Sequence, residues 1–254
     1  MKKLLLLLPI PFLWFPNVSH AALTTNLVSY WKLDGNSNDA VGTNNGTDTS
    51  VLYNTSYGKI NQGINVNNGN INVGTGLNAF SSAISISLWV YQTGYPASGY
   101  GLAFNKFTNT APYGGYCINN GASTDQNWYF QLNLGGSLKG TSAVTPTLNA
   151  WTHLVGTYDG TTMILYKNGV PAGTLSTTGT INYQNSAQSV LIGQNGGSGA
   201  EFIGYIDEIG IWSRALTPTE VTQLYNGGAG LQYPFTTTPL AHILAPILQV
   251  RWWF

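Results

Sequence analysis

Nine acidic side chains hold most of the chain's capacity for bond-breaking chemistry: Asp34, Asp39, Asp48, Asp125, Asp159, Glu201, Asp207, Glu208 and Glu220. Glycoside hydrolysis with retention needs two carboxylates about 5–5.5 Å apart across the scissile bond. Only Asp207 and Glu208 are adjacent, within Tyr205-Ile206-Asp207-Glu208-Ile209-Gly210. In a strand, neighbouring side chains point to opposite faces, so this pair does not converge. With Arg214 the pair has a plainer use, tying the last strand to a cap by hydrogen bonds. Hydrolysis then requires Asp125 or Glu201 to meet a carboxylate from a distant strand.

Other catalytic sets are harder to assemble. Three histidines are present, His20, His153 and His242, and Cys117 is the only cysteine. One imidazole and one thiol inside a domain make neither a zinc site nor a nucleophile–base pair, and a lone cysteine excludes an internal disulfide. His153 reads as structural and Cys117 as a small buried hydrophobe. Calcium is the better metal candidate. Asp34-Gly35-Asn36-Ser37-Asn38-Asp39, followed by Gly42-Thr43-Asn44-Asn45-Gly46, places carboxylate, amide and carbonyl oxygens on one loop. Those are the hard ligands the ion prefers. No Glu closes a twelve-residue loop as in an EF-hand, and the alternative is an Asx-type turn held by its own side chains.

The elements that would carry these residues are strands. Ile84, Ile86, Leu88 and Val90 alternate with Ser85, Ser87, Trp89 and Tyr91, and similar patterns run over 27–33, 100–107 and 128–134. Asp159-Gly160 joins 151–158 to 162–167 as a hairpin, and Asn168-Gly169 turns the chain again. One helix of about two turns is expected from Thr217 as cap, Pro218 at its first position and Glu220 completing a capping box, with Gly227-Gly228 ending it. Strand follows strand, so the pattern predicts an all-β, two-sheet antiparallel sandwich or jelly roll with one short helix.

The ends differ from this body. Residues 1–21 show Lys2-Lys3, an apolar stretch from Leu4 to Phe15 and the small residues Ser19 and Ala21, the layout of a secretory signal cleaved after Ala21. Residues 22–235 then form one domain, and secretion to the cell exterior, cell surface or periplasm is expected. Residues 236–254 are apolar and broken by Pro239 and Pro246. They are expected to be poorly ordered, the alternative being a membrane or partner contact through Trp252 and Trp253. Charged residues are 7% of the chain and aromatics 13%. Without Lys2 and Lys3, seven scattered basic residues face nine acidic ones, which speaks against nucleic acid as a partner.

Four stretches, in order, resemble the laminin G-like jelly roll of the concanavalin A-like lectin and glucanase superfamily: 28–46, 84–91, 151–169 and 204–216. The resemblance spans about residues 27–227. It implies two antiparallel sheets of twelve to fourteen strands, one of them concave, and a calcium ion at Asp39 with the carbonyls of Gly42 or Asn44. Asp34 lies on the same loop, and Asp207 is a second carboxylate from the late strand. Glucanases of the superfamily carry two Glu flanking an Asp at alternating positions; here Tyr205 and Ile209 stand in their place. Trp31, Trp89, Trp151 and Trp212 fall in the family's strand patterns and are assigned to the core. Loop aromatics and amides remain for a glycan: Tyr95, Tyr100, Tyr113, Tyr116 and Trp128, with Asn105, Asn109, Asn119, Asn120 and Gln126 nearby. The sequence therefore predicts a non-catalytic carbohydrate-binding or adhesion module. The alternatives are a protein-interaction domain at the cell surface and, third, a glycoside hydrolase.

Overall fold

The computed structural model describes residues 21–67, 69–96, 99–107, 114–121, 125–183, 187–194 and 201–236. Strands are numbered in chain order. The first sheet holds β1 (Leu27–Trp31), β3 (Leu52–Asn54), β4 (Gly63–Asn65), β6 (Ile84–Gln92), β11 (Trp151–Tyr158), β12 (Thr162–Lys167), β13 (Val170–Ser176) and β15 (Gly204–Trp212). The second holds β2 (Thr47–Thr49), β5 (Asn70–Gly74), β7 (Gly101–Phe107), β8 (Gly115–Asn120), β9 (Trp128–Leu134), β10 (Ser137–Gly140) and β14 (Val190–Ile192). The sheet orders are β13-β12-β11-β6-β15-β4-β3, with β1 also on β15, and β10-β9-β8-β7-β14-β5-β2. Every pairing is antiparallel, as the period-two pattern requires.

The core lies between the sheets. Ile84, Ile86, Leu88 and Val90 of β6 meet Tyr116 and Ile118 of β8 and Phe130 and Leu132 of β9 in one apolar cluster. The alternate residues of β6 are also buried, because a second cluster covers the outer face of the eight-stranded sheet. Tyr30, Val155, Tyr166 and Trp212 pack there under Leu23, Leu216, Val221, Leu224 and Phe235. Helix α1 (Ala21–Thr24) and helix α2 (Pro218–Tyr225) supply much of this cover. The capping box forms as expected, with Glu220 Nα donating to Thr217 Oγ1 and Thr217 Nα to Glu220 Oε2. Arg214 clamps the layer, pairing with Glu220 at 2.6 Å and donating to the carbonyls of Ala22 and Thr25.

The strand and hairpin boundaries lie close to the sequence pattern. The β11–β12 hairpin turns at Asp159-Gly160, where Asp159 Oδ1 accepts from Thr161 and Thr162 N–H and Gly160 takes φ +97°. Asn168 and Gly169 both have positive φ, as a type I′ turn demands.

Gly156 of β11 faces Phe130 across the core, and a Cβ there would stand 2.5 Å from the ring. Gly156→Ala is expected to destabilise the sandwich by about 1–3 kcal/mol through overpacking. Urea unfolding measures this, and an unchanged midpoint would contradict the contact.

Candidate functional site

The expected calcium residues fall into two separate hydrogen-bond networks. Asp39 bridges to β1: its Oδ1 accepts from Tyr30 and Val41 N–H, and its Oδ2 from Asn44 N–H. Gly42 lies against the same carboxylate, close enough that a Cβ would fall 2.7 Å from Oδ2. Burial pushes this carboxyl upward, but the N–H groups of Gly42, Tyr30 and Val41 pull harder, and it lies below its usual value. Asp34 belongs to the other network, with Asp207. It accepts from Gln62 N–H, the Asn61 amide and the Gln232 amide. Asp39, Asp34 and Asp207 each accept N–H donors on both oxygens, so an ion bound there would share oxygens already hydrogen-bonded to the backbone or to side-chain amides. Among the described residues no three His, Cys, Asp or Glu side chains group as a metal site.

Asp207 and Glu208 fill a break in the eight-stranded sheet. On one edge of β15, β4 pairs with Tyr205 and Ile206, while β1 pairs from Ile209 onward. The pairing of β15 with β6 slips just after Asp207, between Asp207 and Gly210, and Glu208 there takes φ +52°, a strained conformation for a non-glycine residue. Asp207 Oδ2 accepts the N–H groups of Lys59 and Ile60 at 2.7 and 2.9 Å. Glu208 Oε2 accepts the Tyr30 hydroxyl at 2.5 Å, and its Oε1 accepts the Gln232 amide. Burial first, and then the neighbouring carboxyl, pushes Asp207 upward; burial pushes Glu208 upward as well. Gln232 Nε2 also donates to Asp34, so its amide occupies the space between Asp34 and Glu208 that a sugar would need. The plainer sequence reading, a pair that ties the last strand in place, describes this geometry.

Of the remaining chemistry-bearing side chains His153 and Cys117 are enclosed, Glu201 is half-buried and Asp125 is exposed. His153 is 1% exposed and shares a stacked cluster with Trp89 and Tyr225, with Nε2 2.8 Å from Ser87 Oγ. Burial lowers its pKa to about 3, so the imidazole is neutral. Burial raises the Cys117 thiol to about 12. Glu201 accepts from Gln194, and Asp125 from Tyr129 and Asn127.

The expected ligand residues separate clearly. Tyr116 and Trp128 are corrections: both point into the core, 0% and 1% exposed, with Tyr116 donating to Leu77 O and Trp128 packed on Phe202. Alternation along β8 and β9 sends them inward, and neither can touch a ligand. Asn119 is buried as well, on the opposite face of β8, where its amide donates to Gln131 Oε1 and Cys117 Sγ. Tyr95 is half-buried after β6, in a segment whose Thr93 N–H bonds Ile203 O. Tyr100 is 50% exposed and within electrostatic reach of Tyr129, whose hydroxyl donates to Asp125. Gln126 is exposed nearby. Tyr113 and Asn109 lie outside the described residues. Of the tryptophans assigned to the core, Trp31, Trp89 and Trp212 are buried, whereas Trp151 is half-buried against Tyr91.

Register shows what the sequence reading missed. One rung crosses the seven-stranded sheet: Gly140, Gln131, Cys117, Asn105, Leu191, Asn72 and Thr47 are consecutive Cα partners. Their side chains face away from the core, since Ile71, Val73, Tyr116, Ile118, Phe130 and Leu132 flank them inside it. Midway the rung is closed to solvent, with Leu102, Phe107 and Cys117 forming a small apolar cluster. The buried Oδ1 atoms of Asn105 and Asn119 have no hydrogen-bond partner. At the β2–β5 end the face opens into a cleft of about 440 Å³, lined by Asn45, Thr47, Thr49, Asn70, Asn72 and Ser189. That volume lies in the range of ligand sites. The signal was present in the period-two run Asn70-Ile71-Asn72-Val73 and in Thr47-Asp48-Thr49.

The family model Laminin_G_3, of the concanavalin A-like lectin/glucanases superfamily, matches residues 61–222. The chain belongs to this superfamily. Solved structures share its fold at low identity. Domain 4 of AbnA, a GH43 extracellular arabinanase from Geobacillus stearothermophilus, solved in complex with arabinotriose, aligns at 21% identity with a TM-score of 0.59, covering 78% of this chain and 97% of that one. The binding domain of Paraclostridial Mosquitocidal Protein 1 aligns at 21% identity and 0.62, covering 80% and 52%. The binding domain of botulinum neurotoxin DC in complex with SialylT aligns at 16% and 0.60, covering 82% and 52%. This superfamily member thus spans about half of each toxin binding domain. No curated protein matches it.

The raised carboxyls set a pH dependence. A group whose folded pKa exceeds its unfolded one stabilises below the unfolded value, and that contribution is lost as pH rises through the folded value. His153 is shifted the other way, so its effect lies below its ordinary 6.5. Thermal stability is therefore expected to fall between about pH 6.5 and about 8, the value to which Glu208 is raised, with Glu208→Gln flattening part of the decline and Asp207 keeping the rest. A flat wild-type profile across that window would contradict the assignment.

Proposed function

We propose that this chain is a secreted, non-catalytic carbohydrate-binding module that takes its ligand in the cleft between β2 and β5. The observation that carries the reading is the open cleft at the end of the outward rung, lined by the hydroxyl and amide side chains of Thr47, Thr49, Asn70 and Asn72. Saccharide hydroxyls each donate and accept, and hydroxyl and amide groups do the same at their own contacts. The carboxylates that hydrolysis would need are engaged elsewhere: Glu208 is 2% exposed, and Gln232 stands between it and Asp34. The solved domains similar in fold include one bound to arabinotriose and one bound to SialylT, which supports saccharide binding as the use of the scaffold.

Secretion rests on the leader-like residues 1–21, of which 1–20 lie outside the described residues, as does the tail from residue 237. No described helix is long and apolar enough to cross a membrane. We propose further that the Asp39 loop holds without the expected calcium, because the N–H groups of Tyr30, Val41 and Asn44 tie its carboxylate.

Two measurements test these points. In calorimetric titration against a panel of oligosaccharides, the double variant Thr47→Val, Asn72→Ala is expected to bind about tenfold more weakly, the loss of one or two hydrogen bonds. Unchanged affinity, or binding to a partner protein with no effect of sugar, would overturn the proposal. Melting with and without a chelator is expected to give the same midpoint, and a drop of several degrees would restore the ion through binding linkage.

A further inference from the structure

The cleft lining contains no ionisable side chain. Asp48, between Thr47 and Thr49, points the other way; its carboxylate accepts from Ser37 and Tyr53 hydroxyls, so its charge lies outside the cleft. Lys106 is the nearest cation behind the wall. Its ammonium donates to the carbonyls of Thr75 and Gln188 at 2.9 and 2.6 Å, and at 1% exposure it offers nothing to a molecule in the cleft.

The amides are also fixed in orientation. Asn72 Oδ1 accepts Gly74 N–H at 2.8 Å, which turns its NH₂ away from that bond as a donor. Asn45 Oδ1 accepts Asp39 N–H, leaving its NH₂ likewise. Asn70 is the opposite case: its Nδ2 donates to Gln194, leaving Oδ1 as an acceptor. Three hydroxyls, on Thr47, Thr49 and Ser189, can act in either sense, and Val73 and Gly74 complete the lining. A polyol finds a partner for each hydroxyl in such a set. A carboxylate or sulfate would lose hydration and meet no cation.

We propose that the cleft selects neutral saccharides and discriminates against acidic ones. This rests on the carbohydrate-binding reading above and names the ligand class within it. The shared fold of a domain solved with SialylT does not extend to the charge of the lining.

The test compares arabinotriose, maltotriose and cellotriose with 3′-sialyllactose and a sulfated trisaccharide by calorimetry, using the whole chain. A neutral probe is expected to bind with affinity unchanged between about 50 and 500 mM salt, and the acidic probes about tenfold more weakly or not at all. Asn70→Asp, checked for an unchanged melting midpoint, keeps an acceptor for the neutral probe and is expected to weaken the acidic probes further by adding a like charge. Thr47→Val, on the exposed edge strand, serves as the second variant should Asn70→Asp unfold, and it is expected to weaken the neutral probe. Stronger, salt-sensitive binding of an acidic probe would overturn the selectivity while leaving the carbohydrate-binding reading in place. Binding of no saccharide at all would overturn both.

Discussion

A backbone N–H shut away from water must find an acceptor, and where the strands of this chain leave gaps carboxylates serve as acceptors alongside asparagine amide oxygens. Asp39 closes the loop after β1, Asp207 receives the segment before β4, Asp159 the hairpin turn and Glu220 the start of α2. Glu208 and Asp34 do the same for the Gln232 side chain, which fastens the strand-free segment after α2. With these groups fixed, β15 can carry β4 and β1 along one edge, and the eight-stranded sheet keeps a continuous covered face. The same engagement encloses Asp207 and Glu208, 0% and 2% exposed.

Covering one outer face decides where a ligand can sit. Leu23, Leu216, Val221, Leu224 and Phe235 close the eight-stranded sheet, so the seven-stranded sheet presents the free side. Its outward rung mixes amides with Cys117 and Leu191, and its β2–β5 end opens to a cleft. An uncharged polar lining on a rigid sheet is suited to recognition of hydroxyls by position.

The sequence made the fold legible because its signals are local: alternation in β6, Asp159-Gly160 in the hairpin, and the Thr217–Glu220 box at α2. The resemblance supplied the order of the strands. The site was less legible, since it depends on register between distant strands. Thr47, Asn72, Asn105 and Gln131 are far apart in the chain, and only pairing places them in one row. Tyr116 and Trp128 were misread for the same reason: in Gly- and Asn-rich surroundings they look like loop aromatics, and alternation turns them inward once the strand limits are known. The Asp39 loop has the composition of a calcium site, yet oxygen content alone does not reveal that N–H donors reach those oxygens first.

The central claim is that recognition takes place on the outward face of the seven-stranded sheet. Amide NMR titration of the isotope-labelled chain with a neutral oligosaccharide that binds tests it most directly. The account predicts shifts concentrated at Asn45, Thr47, Thr49, Asn70, Asn72 and Ser189, including the side-chain NH₂ of Asn72. Shifts centred instead on Tyr30, Asp34, Glu208 and Gln232 would contradict it, because the ligand would then lie between the very carboxylates described as structural.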